Sequence, residues 1–135
     1  MRAYGARLEM LMELAGFKKQ TELARATGLT PTTINRAIKA RKRLGNQAHD
    51  AIVSALKERI DFDEGWLVYG SGTPPNKEAS DRVRAYLASD LAVGISPQVA
   101  ELLRKVPWHT VGVPVPTTKS IARMRDMIET NLLLG

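Results

Sequence analysis

Apolar residues fall along this chain at helical spacing, three and four positions apart, with polar residues between them. Leu8, Leu11, Met12, Leu14 and Ala15 line one face of a first helix, which Gly16 can close with a left-handed cap. Phe17 then packs under the bend. Thr21 is placed to cap a short second helix, TELARAT, ending at Gly28. Thr30 followed by Pro31 is a hydroxyl cap ahead of a proline whose missing N–H costs nothing at a first helical position. The third helix so started is predicted to run to about Lys42, with Ile34, Ala37 and Ile38 inward. Asn46 caps a fourth, with Ala48, Ile52, Val53 and Leu56 inward, and Asp61 or Asp63 opens a short fifth carrying Phe62, Trp66 and Leu67.

The pattern breaks at GSGTPP, residues 70–75, where glycines and two prolines predict a linker. Helical spacing resumes over 78–91 with Val83, Tyr86 and Leu87 as core, and Ser96-Pro97 repeats the cap-then-proline signal ahead of Val99, Leu102 and Leu103. VGVPVP, residues 111–116, alternates as a strand does, but its prolines demote it to an edge or an extended connector. Thr117 or Thr118 caps a last helix with Ile121, Met124, Met127, Ile128, Leu132, Leu133 and Leu134. Trp66 is expected as a core anchor and Trp108 as a joint between the C-terminal helices. The predicted fold class is all-α: a five-helix domain over 1–69, a linker over 70–77, and a small, mostly helical domain over 78–135.

Composition narrows the chemistry. With no cysteine among 135 residues, disulfides and thiolate chemistry are excluded. No apolar run approaches the roughly 18–20 residues of a membrane span, and Glu9 and Glu13 interrupt the apolar N-terminal stretch, so neither membrane nor signal peptide is expected. A cytoplasmic protein is the expectation. His49 and His109 stand apart without paired spacing, so no metal is expected, and His49 is assigned to the surface or to a cap. No phosphate-cradling glycine loop is present, and no cofactor is expected. Asp61, Asp63 and Glu64 cluster at a helix start, where the dipole favours acids, so a catalytic pair is the weaker reading.

Charge is uneven. Between Lys18 and Arg43 stand eight basic residues against Glu22 alone, a net of +7 that leaves −1 for the rest of a chain totalling +6. Such a stripe suits a polyanion, because each neutralised phosphate releases condensed counterions. On charge alone, a solvated basic face is the simpler explanation.

The second and third helices change that balance. Gln20, Ala24 at a close crossing, Gly28 in the turn, Leu29 after it and Ile34 inside the third helix keep fixed spacing, and together they resemble the helix-turn-helix of lambda-repressor-like DNA-binding domains. RIDFDEGWLVYGSGTPP is similar to the ending of many phage repressor domains just before their linker, so the resemblance covers about residues 5–72. It implies a phage or prophage type of repressor whose third helix enters the major groove of double-stranded operator DNA. Pro31, Thr32, Thr33 and Arg36 would lie nearest the bases, flanked by Asn35 and Lys39. Gln20, Thr30, Arg41, Lys42 and Arg43 would contact phosphates. Pro31 departs from relatives that carry a polar base-reading residue there, so shape readout gains weight.

Residues 76–135 hold eight basic and six acidic residues, little electrostatic pull on DNA. Two-fold operators call for a dimer or higher oligomer, and the last helix is the expected surface, through Ile121, Met124, Ile128 and Leu132; packing within the chain is the equal alternative. Release from DNA is expected from an antirepressor protein or a change of oligomeric state. An enzymatic second half, as in self-cleaving Ser/Lys peptidases, would need Ser96 or Ser120 with Lys105 or Lys119 on a β-rich scaffold that these residues do not predict. No enzyme is expected. The alternative from another class is a protein-interaction module such as an antitoxin or a regulator-binding adaptor.

Overall fold

The computed structural model describes residues 3–134. Among them run eight α-helices, one 3₁₀ turn at Asp90–Ala92 and no strand. In order they are α1 Tyr4–Leu14, α2 Gln20–Thr27, α3 Pro31–Lys39, α4 Asn46–Lys57, α5 Glu64–Tyr69, α6 Lys77–Leu87, α7 Pro97–Arg104 and α8 Thr118–Leu134. The chain divides into two compact units with the boundary between Pro75 and Asn76.

The first unit packs α1 to α5 around Tyr4, Leu8, Leu11, Leu23, Ile34, Ile52, Leu56, Ile60 and Leu67, all buried. Gly16 closes α1 in the left-handed region at φ 82°, and Phe17 is buried below it. Several helix ends differ from the sequence expectation. Thr21 lies inside α2 rather than capping it, and the carboxylate of Glu22 accepts the Lys18 N–H ahead of the helix. α3 stops at Lys39, three residues early, because the Tyr4 and Gly5 N–H groups at the start of α1 take the carbonyls of Arg41 and Ala40. Asn46 is the first helical residue of α4, not its cap; its Oδ1 accepts from Arg43 Nη2 at 2.7 Å instead.

His49, expected at the surface or as a cap, is 3% exposed, with Nε2 2.7 Å from Glu64 Oε1. That contact joins the first turns of α4 and α5. Asp63 caps α5 by accepting the Gly65 N–H on Oδ1, and its Oδ2 accepts the N–H of Thr73. The glycine-rich stretch after α5 therefore folds back on its own helix start. Gly72, at φ +103°, makes that return: a Cβ there would collide with the Asp63 carboxylate.

The second unit gathers α6, α7 and α8 around Val83, Tyr86, Leu103, Trp108 and Ile121. Asn76 caps α6 through Oδ1, which accepts the Ala79 N–H, while Nδ2 donates to Pro114 O at 2.8 Å and fastens the 107–117 loop. That loop is a series of turns, with Val111 and Val115 exposed. Leu102 is exposed on α7, whereas Val99 and Leu103 are buried. Arg125 of α8 donates from Nη1 to the Tyr86 hydroxyl and to Leu91 O, tying α8 to α6 and to the 3₁₀ turn.

Candidate nucleic-acid interface

Helices α2 and α3 meet through Leu23, Ala24, Ile34 and Ala37, all buried. Gly28 links them at φ +75°, a conformation with little cost only for glycine. The Thr27 hydroxyl helps hold the bend, donating to Leu23 O and accepting the Leu29 N–H. Thr30 then caps α3: its Oγ1 accepts the Thr33 N–H at 3.2 Å and lies 2.9 Å from Thr33 Oγ1. Pro31 follows at the first helical position.

With one side of α3 sealed into the core, the other carries Pro31, Thr32, Arg36 and Lys39 in solvent. Thr33 and Asn35 are half-buried at its edges, and the Thr33 hydroxyl shares a hydrogen bond with that of Thr30. Gln20 is exposed at the start of α2, and Thr30 is exposed at the start of α3. Arg41, Lys42 and Arg43 follow α3, all exposed. They are not equivalent, since Arg43 is anchored to Asn46. Gly45 gives α4 no side-chain cap and α4 has no acid of its own in its first turn, so the positive end of that helix dipole, offset at His49 by the Glu64 carboxylate, adds to the field of the basic run. Sequence reasoning missed this contribution because it assigned the cap to Asn46.

Tyr4 sits behind that run with its ring fully buried and its hydroxyl without a hydrogen-bond partner among the described residues. Burial pushes its hydroxyl pKa up, and the positive charges of Arg43 and Arg7 partly draw it back. The surface as a whole offers cations, hydroxyls and a rigid helix face. That chemistry suits phosphate neutralisation and base-edge hydrogen bonding.

The residues expected to hold copies together are placed unequally. Ile121 is buried in the core of its own unit, Met124 and Ile128 are half-buried against that core, and Leu132 is exposed. Ser96 and Ser120 both serve local caps, of α7 and of α8. Among the described residues, no group of His, Cys, Asp or Glu could hold a metal ion, and no helix is long and apolar enough to cross a membrane.

No curated protein and no solved structure matches the chain. A family match covers residues 7–61, which take in α2 and α3 with the helices that support them, and the function it supports is that of a DNA-binding transcription regulator. Residues 7–61 match the family of Cro/C1-type helix-turn-helix DNA-binding domains.

Proposed function

We propose that the protein is a sequence-specific transcriptional repressor of the phage or prophage type, binding two-fold operator DNA as a dimer or higher oligomer. Residues 1–69 bind DNA and the second unit joins the copies. The observation that carries this reading is the rigid α3 face: a capped helix, sealed on one side, with Thr32, Arg36 and Lys39 in solvent and a basic run directly after it. In this assignment Pro31, Thr32, Thr33, Asn35, Arg36 and Lys39 meet base edges. Gln20, Thr30, Arg41, Lys42 and Arg43 position the duplex through phosphates. Arg36 bidentate to guanine would give about 1–3 kcal/mol of discrimination.

A protein partner is the second reading, favoured by the apolar side chains that the second unit leaves in solvent, among them Leu91, Val93, Val111 and Val115. An antirepressor could dock there without conflict with the first reading; an adaptor or antitoxin role would replace it.

Quantitative binding to fragments of the chain's own genomic neighbourhood, against random duplex at two salt concentrations, tests the proposal. Selective, salt-sensitive binding at a two-fold symmetric site supports the repressor. Weak binding equal on all sequences rejects it in favour of the protein-partner reading.

A further inference from the structure

The start of α1 meets the end of α3 more closely than a side chain would allow. A Cβ added at Gly5 would lie under 3.0 Å from the carbonyl oxygen and carbon of Ile38, and 3.1 Å from Ala40 O. Real Cβ atoms essentially never approach below 3.0 Å, and here the obstacle is backbone that cannot rotate away. Gly5 is an ordinary helical residue with no positive φ, so what it supplies is space. A glycine inside a helix carries a propensity penalty against alanine, and nothing in the conformation of α1 asks for it. The reason lies in the neighbour.

Through that gap the Gly5 N–H donates to Ala40 O at 2.9 Å and the Tyr4 N–H reaches Arg41 O at 3.4 Å. The last carbonyls of a helix and the first N–H groups of another are each without intrahelical partners, and each carries the opposite end of a dipole. Here one set satisfies the other. The contact ends α3 at Lys39, turns Ala40 into extended backbone at φ −78° and ψ 146°, and sends the chain into Arg41, Lys42 and Arg43.

We propose that Gly5 is a positioning residue for sequence selectivity: by admitting α1 against the last turn of α3, it fixes the tilt at which Arg36 and Lys39 are presented. The inference rests on the DNA-binding reading and adds a residue that touches no DNA. Its consequence is asymmetric. Base-edge hydrogen bonds weaken steeply with misalignment, whereas attraction between Arg or Lys and phosphates acts over the roughly 8–10 Å of the screening length. A tilted α3 therefore loses selectivity before it loses non-specific affinity.

The test uses the full chain with the tightest-binding fragment of its genomic neighbourhood and a random duplex of equal length, at a temperature where every variant is fully folded by circular dichroism. Gly5→Ala is expected to lower the ratio of specific to random affinity at least tenfold while leaving the salt dependence on random duplex unchanged. Val53→Ala, a core truncation on α4, controls for lost stability and keeps the ratio. Ala40→Gly adds no atom and loosens the same seam. It covers the case in which Gly5→Ala fails to fold, and is expected to lose at least threefold in the ratio. A native protein with selectivity whose Gly5→Ala and Ala40→Gly variants match it within twofold overturns this inference alone. Equal losses in Val53→Ala overturn it too, by making stability the cause. A native protein without selectivity overturns the repressor reading and this inference with it.

Discussion

Arg7 on α1 reaches Leu67 on α5, sixty positions later, and donates from Nε to its carbonyl at 2.9 Å; Nη2 donates to Val68 O at 3.1 Å. Arg7 is buried, a rare place for a charge, and these carbonyls belong to the last turn of a helix only six residues long. So short a helix has no independent stability, and its terminal carbonyls need partners from elsewhere. Arg7→Met would keep most of the apolar stem while removing the donors. It is expected to destabilise the first unit by about 2–3 kcal/mol, the range for hydrogen bonds from a charged group, measured by urea unfolding. A loss below about 0.5 kcal/mol would mean that α5 is held by its apolar face alone.

Tyr4 presents the opposite case, a buried hydroxyl with no hydrogen-bond partner among the described residues. Removing such a group relieves a desolvation cost rather than breaking a bond, so Tyr4→Phe is expected to leave stability unchanged or raise it by up to about 1 kcal/mol at pH 7. The pH dependence has a definite sign. Because the folded pKa is raised above 10.0, the folded state holds its proton more tightly than the unfolded one. That contribution is intact below about pH 10 and lost as pH climbs toward the folded pKa. Unfolding midpoints at pH 7 and pH 10.5 should diverge more for the native chain than for Tyr4→Phe. Equal divergence would remove Tyr4 from the alkaline response.

Much of the helical order was legible because apolar periodicity and cap-then-proline signals are local. Thr30-Pro31 and Ser96-Pro97 start their helices where the residues predict. Some of the places where sequence reasoning failed depend on partners distant along the chain. α3 ends early because donors sit at positions 4 and 5, and no property of Ala40 announces them. His49, expected at the surface or as a cap, is buried once Glu64 is brought to it, and nothing in the residues around Arg7 announces the carbonyls of α5 that it reaches. At the candidate interface, Arg36 and Lys39 were legible as outward positions, opposite Ile34 and Ala37. The tie between Arg43, within the basic run, and Asn46 was not.

Thr30 serves as cap whatever else it touches. Thr30→Ala removes the acceptor for the Thr33 N–H and is expected to cost about 1 kcal/mol of stability, whereas Thr30→Ser should be nearly silent. Under the repressor reading both variants change operator affinity in the same order, since a frayed α3 start moves Thr32 and Thr33. Thermal unfolding and operator titration of the two variants check this together. Loss of affinity in Thr30→Ser without loss of stability would instead assign the methyl group a direct role at the DNA.

The basic run predicts a slope. Each phosphate contact contributes about 0.9 to the dependence of log affinity on log salt. Replacing Arg41, Lys42 and Arg43 with alanine should flatten that slope by about 2–3 per bound protomer, on operator and random duplex alike. Arg43→Ala alone is expected to carry a stability cost as well, because it also releases Asn46 at the start of α4. An unchanged slope in the triple variant would move the phosphate contacts elsewhere, with the uncapped start of α4 as the first place to look.

The last helix separates packing from association. Ile121 is buried among Val83, Leu103 and Trp108, so Ile121→Glu places a charge in a core and should unfold the second unit. Met127, Leu132, Leu133 and Leu134 are exposed, Leu133 and Leu134 at more than four-fifths, and none belongs to the core of the second unit, so polar substitutions there leave that core intact. If α8 joins copies, its working surface is this outer stretch with Leu132, and Met127→Glu with Leu132→Glu should shift the protein toward monomer in sedimentation equilibrium while its helical circular dichroism is kept. Affinity for a two-fold site should then fall far more than affinity for a single half-site, because linked binding supplies the difference. Should the double variant stay oligomeric and folded, the association surface lies away from α8, and the exposed Leu91 and Val93 become the next residues to change.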